Sequence, residues 1–97
     1  MVYVYIVRCF DGHYYTGVTN DFDKRVSEHN AGVSPKCYTF KRRPVLLVFT
    51  QAFQNPREAI FAEKQIKKWR REKKEALINN DYDLLIELSK SKSKYST

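Results

Sequence analysis

Two cysteines, Cys9 and Cys37, are too few for a disulfide scaffold. They match no structural zinc site either, since that needs four Cys or His ligands in closely spaced pairs. Each is expected as a small buried hydrophobe or a free thiol. Glycine and proline are also sparse, three of each in 97 residues, which excludes a collagenous chain and, beside 42% hydrophobic residues, a disordered one. The apolar run VYVYIVRCF is nine residues long, much too short to span a bilayer. Met1 leads straight into it without a basic n-region or a small-residue cleavage site, so a cytoplasmic protein with no membrane association is expected. Acidic residues are outnumbered, eleven Asp and Glu against eighteen Lys and Arg, for a net charge of +7. Such an excess on a small domain points to a polyanionic partner, nucleic acid ahead of anionic membrane. The run KQIKKWRREKK, residues 64–74, carries much of that charge, and its plain alternative is a solvated helix face.

At this length the chain forms one domain, burying roughly 60 to 65% of its unfolded surface. VYVYIVRCF alternates β-branched and aromatic residues on both sides, Val2, Val4 and Ile6 against Tyr3, Tyr5 and Val7, which predicts a strand covered on both faces. Asp11-Gly12 signals a hairpin turn into a second antiparallel strand, HYYTGVT. Gly17 in that strand predicts a bulge or a close approach of something to the backbone. A helix follows, capped by Asn20, with Asp23 in its first turn and Gly32 ending it. Val33 to Arg43 reads as a basic loop and VLLVFTQAF as a third strand. Asn55-Pro56-Arg57-Glu58 is a strong helix start, with an Asn cap, Pro at the first position and Glu at the third. That helix runs to about Trp69, and shorter helices follow near Glu72 to Ile78 and Tyr82 to Leu88. Residues 89–97, SKSKSKYST, are expected as a disordered polar tail after a single domain over 1–88. The order ββαβαα implies an α+β fold, a small three-stranded antiparallel sheet flanked by helices.

Glu63 lies within the apolar arc of its helix, about 40° from Ala59 on one side and about 60° from Ile60 on the other. A carboxylate there pairs with a cation, binds a metal, or carries a raised pKa. Its plain reading is a salt bridge to a neighbouring Lys or Arg. Arg25 and His29 stand at i and i+4 and share a helix face. An Arg fork suits a phosphate and a nearby His can move a proton, although the pair taken alone is more simply read as a solvated face. The tyrosines of the first two strands can simply pack.

Taken together, the residues resemble the GIY-YIG nuclease family, especially its small stand-alone bacterial members. The family's first motif stands here as VYI with Tyr5, and the second as YTG with Tyr15 and Gly17. Arg25 and His29 match its helix pair and Glu63 its metal-binding glutamate. The resemblance spans roughly residues 2 to 80. The chain departs in lacking the literal Gly and Ile of the first motif and the Ile of the second. Either Asn79 or Asn80 corresponds to the family's terminal asparagine.

The resemblance implies the GIY-YIG endonuclease fold and metal-dependent hydrolysis of DNA phosphodiester bonds, structure-selective and in DNA repair or processing. The alternative is a nucleic-acid-binding module with weak catalysis. By the same likeness, Glu63 would hold one Mg²⁺ or Mn²⁺ and Arg25 would contact the scissile phosphate. Tyr5 and Tyr15 would orient or deprotonate the attacking water, with Tyr15 or His29 as the base. Gly17 would keep the approach of phosphate or a neighbouring helix clear. Lys41, Arg42, Arg43, Lys67, Lys68, Arg70 and Arg71 would track the backbone of nucleic acid, with DNA ahead of RNA and a protein partner left open.

Overall fold

Strand β1, Val2–Cys9, occupies the centre of a three-stranded antiparallel sheet of order β2-β1-β3, with β2 over Tyr14–Thr19 and β3 over Val45–Phe53. The computed structural model describes residues 1–95, with side chains described to residue 90. As the double-sided pattern of β1 predicts, Val4, Tyr5, Ile6 and Val7 are all fully buried. Each buried Val or Ile contributes about 1.5–3 kcal/mol, so this short strand supplies much of a modest core.

Two helices join the sheet in one compact unit, Met1–Lys67. Helix α1, Phe22–Ala31, packs Phe22 and Val26 on the face of β1 that carries Tyr5 and Val7. Helix α2, Pro56–Lys67, packs against all three strands and buries Ala59 and Ile66. Asn30 ties the end of α1 to the start of β3, its amide donating to Val45 O at 3.1 Å and accepting from Val45 N at 2.6 Å.

Local signals place most boundaries. Gly12 (φ 88°) turns the first hairpin, with Gly12 N donating to Cys9 O at 2.9 Å. The cap of α1 is Asp21, one residue beyond the expected Asn20. Its carboxylate accepts from Lys24 N at 3.1 Å, while the Thr19 hydroxyl accepts from Asp21 N. Gly32 ends α1 in the left-handed region (φ 69°), its N–H bonding back to Glu28 and His29 carbonyls. Asn55 caps α2, accepting from Arg57 N at 2.8 Å.

No bulge occurs at Gly17, which pairs regularly with Tyr5. The register shift lies instead between β1 and β3, where Ile6 opposes Phe49 and Val7 opposes Leu47, leaving Val48 as the extra residue.

The second unit begins at Lys68. Helix α3, Arg71–Ile78, packs on helix α4, Tyr82–Tyr95. Asn80 adopts φ 57° in the turn between them and Asp81 caps α4, accepting from Leu84 N at 3.2 Å. Helix α4 thus extends beyond Leu88 into the stretch expected as a disordered tail. Once a helix is nucleated by apolar residues, adding turns is far less costly than starting one, so a Ser/Lys sequence can continue it. Ser96 and Thr97 lie outside the described residues. Among the described residues no helix is long and apolar enough to cross a membrane.

Candidate active site

The site is built around a buried phenol. Tyr5 is at 0% exposure because it lies mid-strand on the central strand, under α1 and opposite Gly17. A Cβ built on Gly17 would sit 2.5 Å from Tyr5 Oη and 2.6 Å from its Cζ. The close approach that Gly17 permits within the fold is that of the Tyr5 ring.

Spacing of i to i+4 on α1 brings Arg25 and His29 to this ring together. His29 Nε2 lies 2.9 Å from Tyr5 Oη, and the Arg25 guanidinium lies near enough to the same phenol to favour its ionised form. Arg25 also pairs with Glu28 at 3.3 Å. On its other nitrogen, His29 Nδ1 meets Thr39 Oγ1 at 2.7 Å, and that hydroxyl donates to Cys37 Sγ at 3.5 Å. Tyr15, half-buried on β2, sets its ring edge-on to His29 at 5.2 Å and 6.4 Å from Tyr5.

Burial pushes the Tyr5 phenol up to about 12, against a smaller opposing effect of the Arg25 hydrogen bond. Tyr5 therefore keeps its proton at neutral pH in the folded chain. Burial, then the charge of Arg25, holds the His29 imidazole below its ordinary value. Burial also raises the Cys37 thiol, but hydrogen bonds from Thr39 and the charge of Arg25 outweigh that and leave it below the usual thiol range.

These two aromatic groups set a pH window for stability. The unfolded imidazole takes up a proton as pH falls below about 6.5, before the folded one does, so stability is lost from there down to the lowered folded value. The unfolded phenol ionises near pH 10 while folded Tyr5 holds its proton to about 12, so stability is lost again across that range. Urea midpoints are expected to fall on both sides. The acid fall, but not the alkaline one, should be smaller in His29→Gln.

Glu63 is largely buried, its side chain 13% exposed, and its carboxylate pairs with Lys67 Nζ at 2.7 Å. Lys67 in turn lies 5.7 Å from the centre of the Tyr15 ring, which ties the carboxylate to the tyrosine cluster. The ion pair explains how an acid tolerates the apolar arc. Among the described residues, no three His, Cys, Asp or Glu side chains gather into a metal cage. One hard oxygen ligand nonetheless fits the donor chemistry of Mg²⁺ or Mn²⁺, ions that keep several waters and take further oxygens from phosphate.

The basic residues divide. Arg42 pairs with Asp11 at 2.9 Å, donates to Tyr38 O at 3.2 Å and lies over the Tyr38 ring. Arg43 donates to Phe40 O at 2.8 Å and to Asn30 O at 3.4 Å. Both guanidinium groups are thus engaged in holding the loop after α1. Lys41, Lys68 and Arg70 are exposed, and Arg71 pairs with Glu75 at 3.2 Å. Asn79 closes α3, and Asn80 accepts from the Tyr82 hydroxyl at 3.3 Å. Sequence reasoning singled out neither Thr39 nor Tyr38, which stacks on Tyr15 at 6.2 Å, because both reach the site across a loop with no regular spacing.

An antiparallel sheet presenting two tyrosines to an Arg–His helix pair, with a carboxylate on a later helix, defines a nuclease-type domain. The chain belongs to the GIY-YIG family, matching the GIY-YIG catalytic domain over residues 1–76, and that domain marks the nuclease class and nucleic-acid binding. It is 49% identical over 77 residues to a UPF0213 protein of Halobacterium salinarum, covering 79% of this chain and 99% of that one. It is also 49% identical to the UPF0213 protein YazA of Bacillus subtilis, covering 78% and 76% of the two chains. A solution NMR structure of a UPF0213 protein from Bacillus halodurans shares the fold at TM-score 0.53 and 44% identity, covering 81% of this chain and 84% of that one. A solution NMR structure of the protein EF2693 from E. faecalis does so at TM-score 0.57 and 37% identity, covering 82% of this chain and 84% of that one.

Proposed function

We propose that this chain is a metal-dependent endonuclease hydrolysing phosphodiester bonds of DNA, with DNA favoured over RNA, residues 1–88 as its catalytic domain, and structured DNA in repair or processing as its target. The observation that carries the reading is the convergence of Arg25, His29 and Tyr15 on the buried Tyr5, with Glu63 joined to Tyr15 through Lys67.

In this reading Arg25 donates to a non-bridging phosphate oxygen and stabilises the charge that develops there. Tyr5 holds the guanidinium in place and keeps its own proton. The engagement of His29 Nε2 by Tyr5 favours Tyr15 as acceptor of the attacking water's proton. Glu63 would hold Mg²⁺ or Mn²⁺, which when bound supplies positive charge to the phosphate. Lys41 and the exposed Lys68 and Arg70 supply salt-dependent affinity for the backbone.

The test is a panel of labelled duplex, flap and branched DNA, with matching RNA, incubated with Mg²⁺ or Mn²⁺. Wild type is expected to cut at least one DNA, and Glu63→Ala none. Undiminished cleavage by Glu63→Ala would mark a contaminant.

Lys67 competes for the same carboxylate, since its ammonium is seated on Glu63. Lys67→Met is expected to tighten Mn²⁺ binding about two- to fivefold, the equivalent of a partly exposed ion pair of up to about 1 kcal/mol. Titration followed by the Mn²⁺ electron spin resonance signal reads this directly, and unchanged or weaker binding would argue against Glu63 as ligand.

The engagement of Glu63 by Lys67 also favours a second reading, a nucleic-acid-binding module with weak catalysis. It differs in predicting DNA binding that survives EDTA and Glu63→Ala without measurable cleavage, while still falling steeply with salt.

A further inference from the structure

Thr39 belongs to none of the motifs, yet it is 1% exposed and its hydroxyl is the second partner of His29. The direction of the protons through this cluster follows from the chemistry of its ends. The Arg25 guanidinium lies near the phenol but has only N–H donors, so it cannot accept the Tyr5 proton. The Tyr5 proton then needs an acceptor of its own, and His29 Nε2 stands 2.9 Å away. A neutral imidazole that accepts at Nε2 carries its proton on Nδ1, and Nδ1 faces Thr39 Oγ1 at 2.7 Å. With its lone pair so used, the Thr39 hydroxyl donates onward to Cys37 Sγ at 3.5 Å.

Every proton in that order has an acceptor. In the reverse order an Nε2–H would point at the Tyr5 oxygen, leaving the phenol proton without a partner in a fully buried site. An unsatisfied buried donor costs about 1–3 kcal/mol, enough to decide between the two tautomers.

We infer that Thr39 is a positioning residue that holds His29 in the Nδ1–H tautomer, so that Nε2 anchors the Tyr5 hydroxyl and Tyr5 in turn aims the Arg25 guanidinium. The kinetic consequence rests on the nuclease reading. The tautomer does not, because it is a property of the folded chain alone.

Nitrogen-15 NMR of the full chain at neutral pH reads the tautomer, with His13→Gln separating the signals of the two histidines. The expected result is a protonated Nδ1 and bare Nε2 in wild type and Thr39→Ser, and a mixture with Nε2–H in Thr39→Val, where the Nδ1–H that has lost its acceptor offsets the cost of the phenol proton. In cleavage assays Thr39→Val is expected to lower kcat about 10- to 100-fold, the scale seen when outer orienting partners are removed. KM for DNA should change little, since no phosphate contact is lost, and Thr39→Ser should restore kcat. An Nε2–H tautomer in wild type, which needs no variant, overturns the inference. So does a folded Thr39→Val that keeps only the Nδ1–H tautomer or cuts at the wild-type rate. If the tautomers behave as expected while wild type cuts no nucleic acid, the nuclease reading fails and the tautomer assignment stands.

Discussion

Arg25→Ala is expected to lower kcat by about two to three orders of magnitude on any DNA the wild type cuts, the usual scale for losing one oriented donor at a developing oxyanion. One feature argues for so large an effect. The guanidinium is held by Glu28 at 3.3 Å and lies near the Tyr5 phenol, so little reorganisation remains when a phosphate arrives. Arg25→Lys should recover little, because an ammonium cannot reach Tyr5 and a phosphate with separate arms of a planar fork. Affinity should fall far less than rate, since exposed lysines elsewhere supply much of the long-range attraction. Single-turnover cleavage with a binding titration on the same substrate separates the two. A loss confined to affinity would move Arg25 from the reacting phosphate to the rim.

The parts of this molecule governed by local periodicity could be read in advance. Strand β3 spans Val45–Phe53, the run VLLVFTQAF, in which every position but Gln51 is apolar or β-branched. Helix α2 begins at Pro56 after an Asn cap, for reasons contained within four residues. The i, i+4 relation of Arg25 and His29 likewise survives into three dimensions, with both side chains turned to the Tyr5 phenol. What resisted reading depends on partners distant in sequence. Arg42 and Arg43 look like free cations until Asp11, the Tyr38 and Phe40 carbonyls and Asn30 come within reach. Thr39 lies ten residues from His29 across an irregular loop, and nothing in its neighbours announces the contact. The one-residue displacement of the α1 cap has a similar cause. Asn20 and Asp21 are both good caps, and the Thr19 hydroxyl bonded to Asp21 N favours the second.

Gly17→Ala is expected to destabilise the fold by about 1–3 kcal/mol, the cost of overpacking a filled interior. In an unstrained strand the same change would be neutral or stabilising by about 0.4–1 kcal/mol, through a smaller unfolded ensemble. The sign therefore depends on what the new methyl meets. Gly17 has no positive φ that would require glycine, so backbone conformation does not explain the residue. The methyl would lie within 2.8 Å of Tyr5 Oη, Cζ and Cε1, and that ring cannot swing aside while His29 and Arg25 hold its hydroxyl under α1. Relief requires breaking the Tyr5–His29 bond or parting β1 from β2, so stability and activity should fall together. A double-mutant cycle isolates the contact. In a Tyr5→Leu background the obstructing hydroxyl and ring are gone, and Gly17→Ala should become neutral or mildly stabilising. If the alanine costs as much with Leu as with Tyr at position 5, the close approach of the ring is not why glycine occupies this strand.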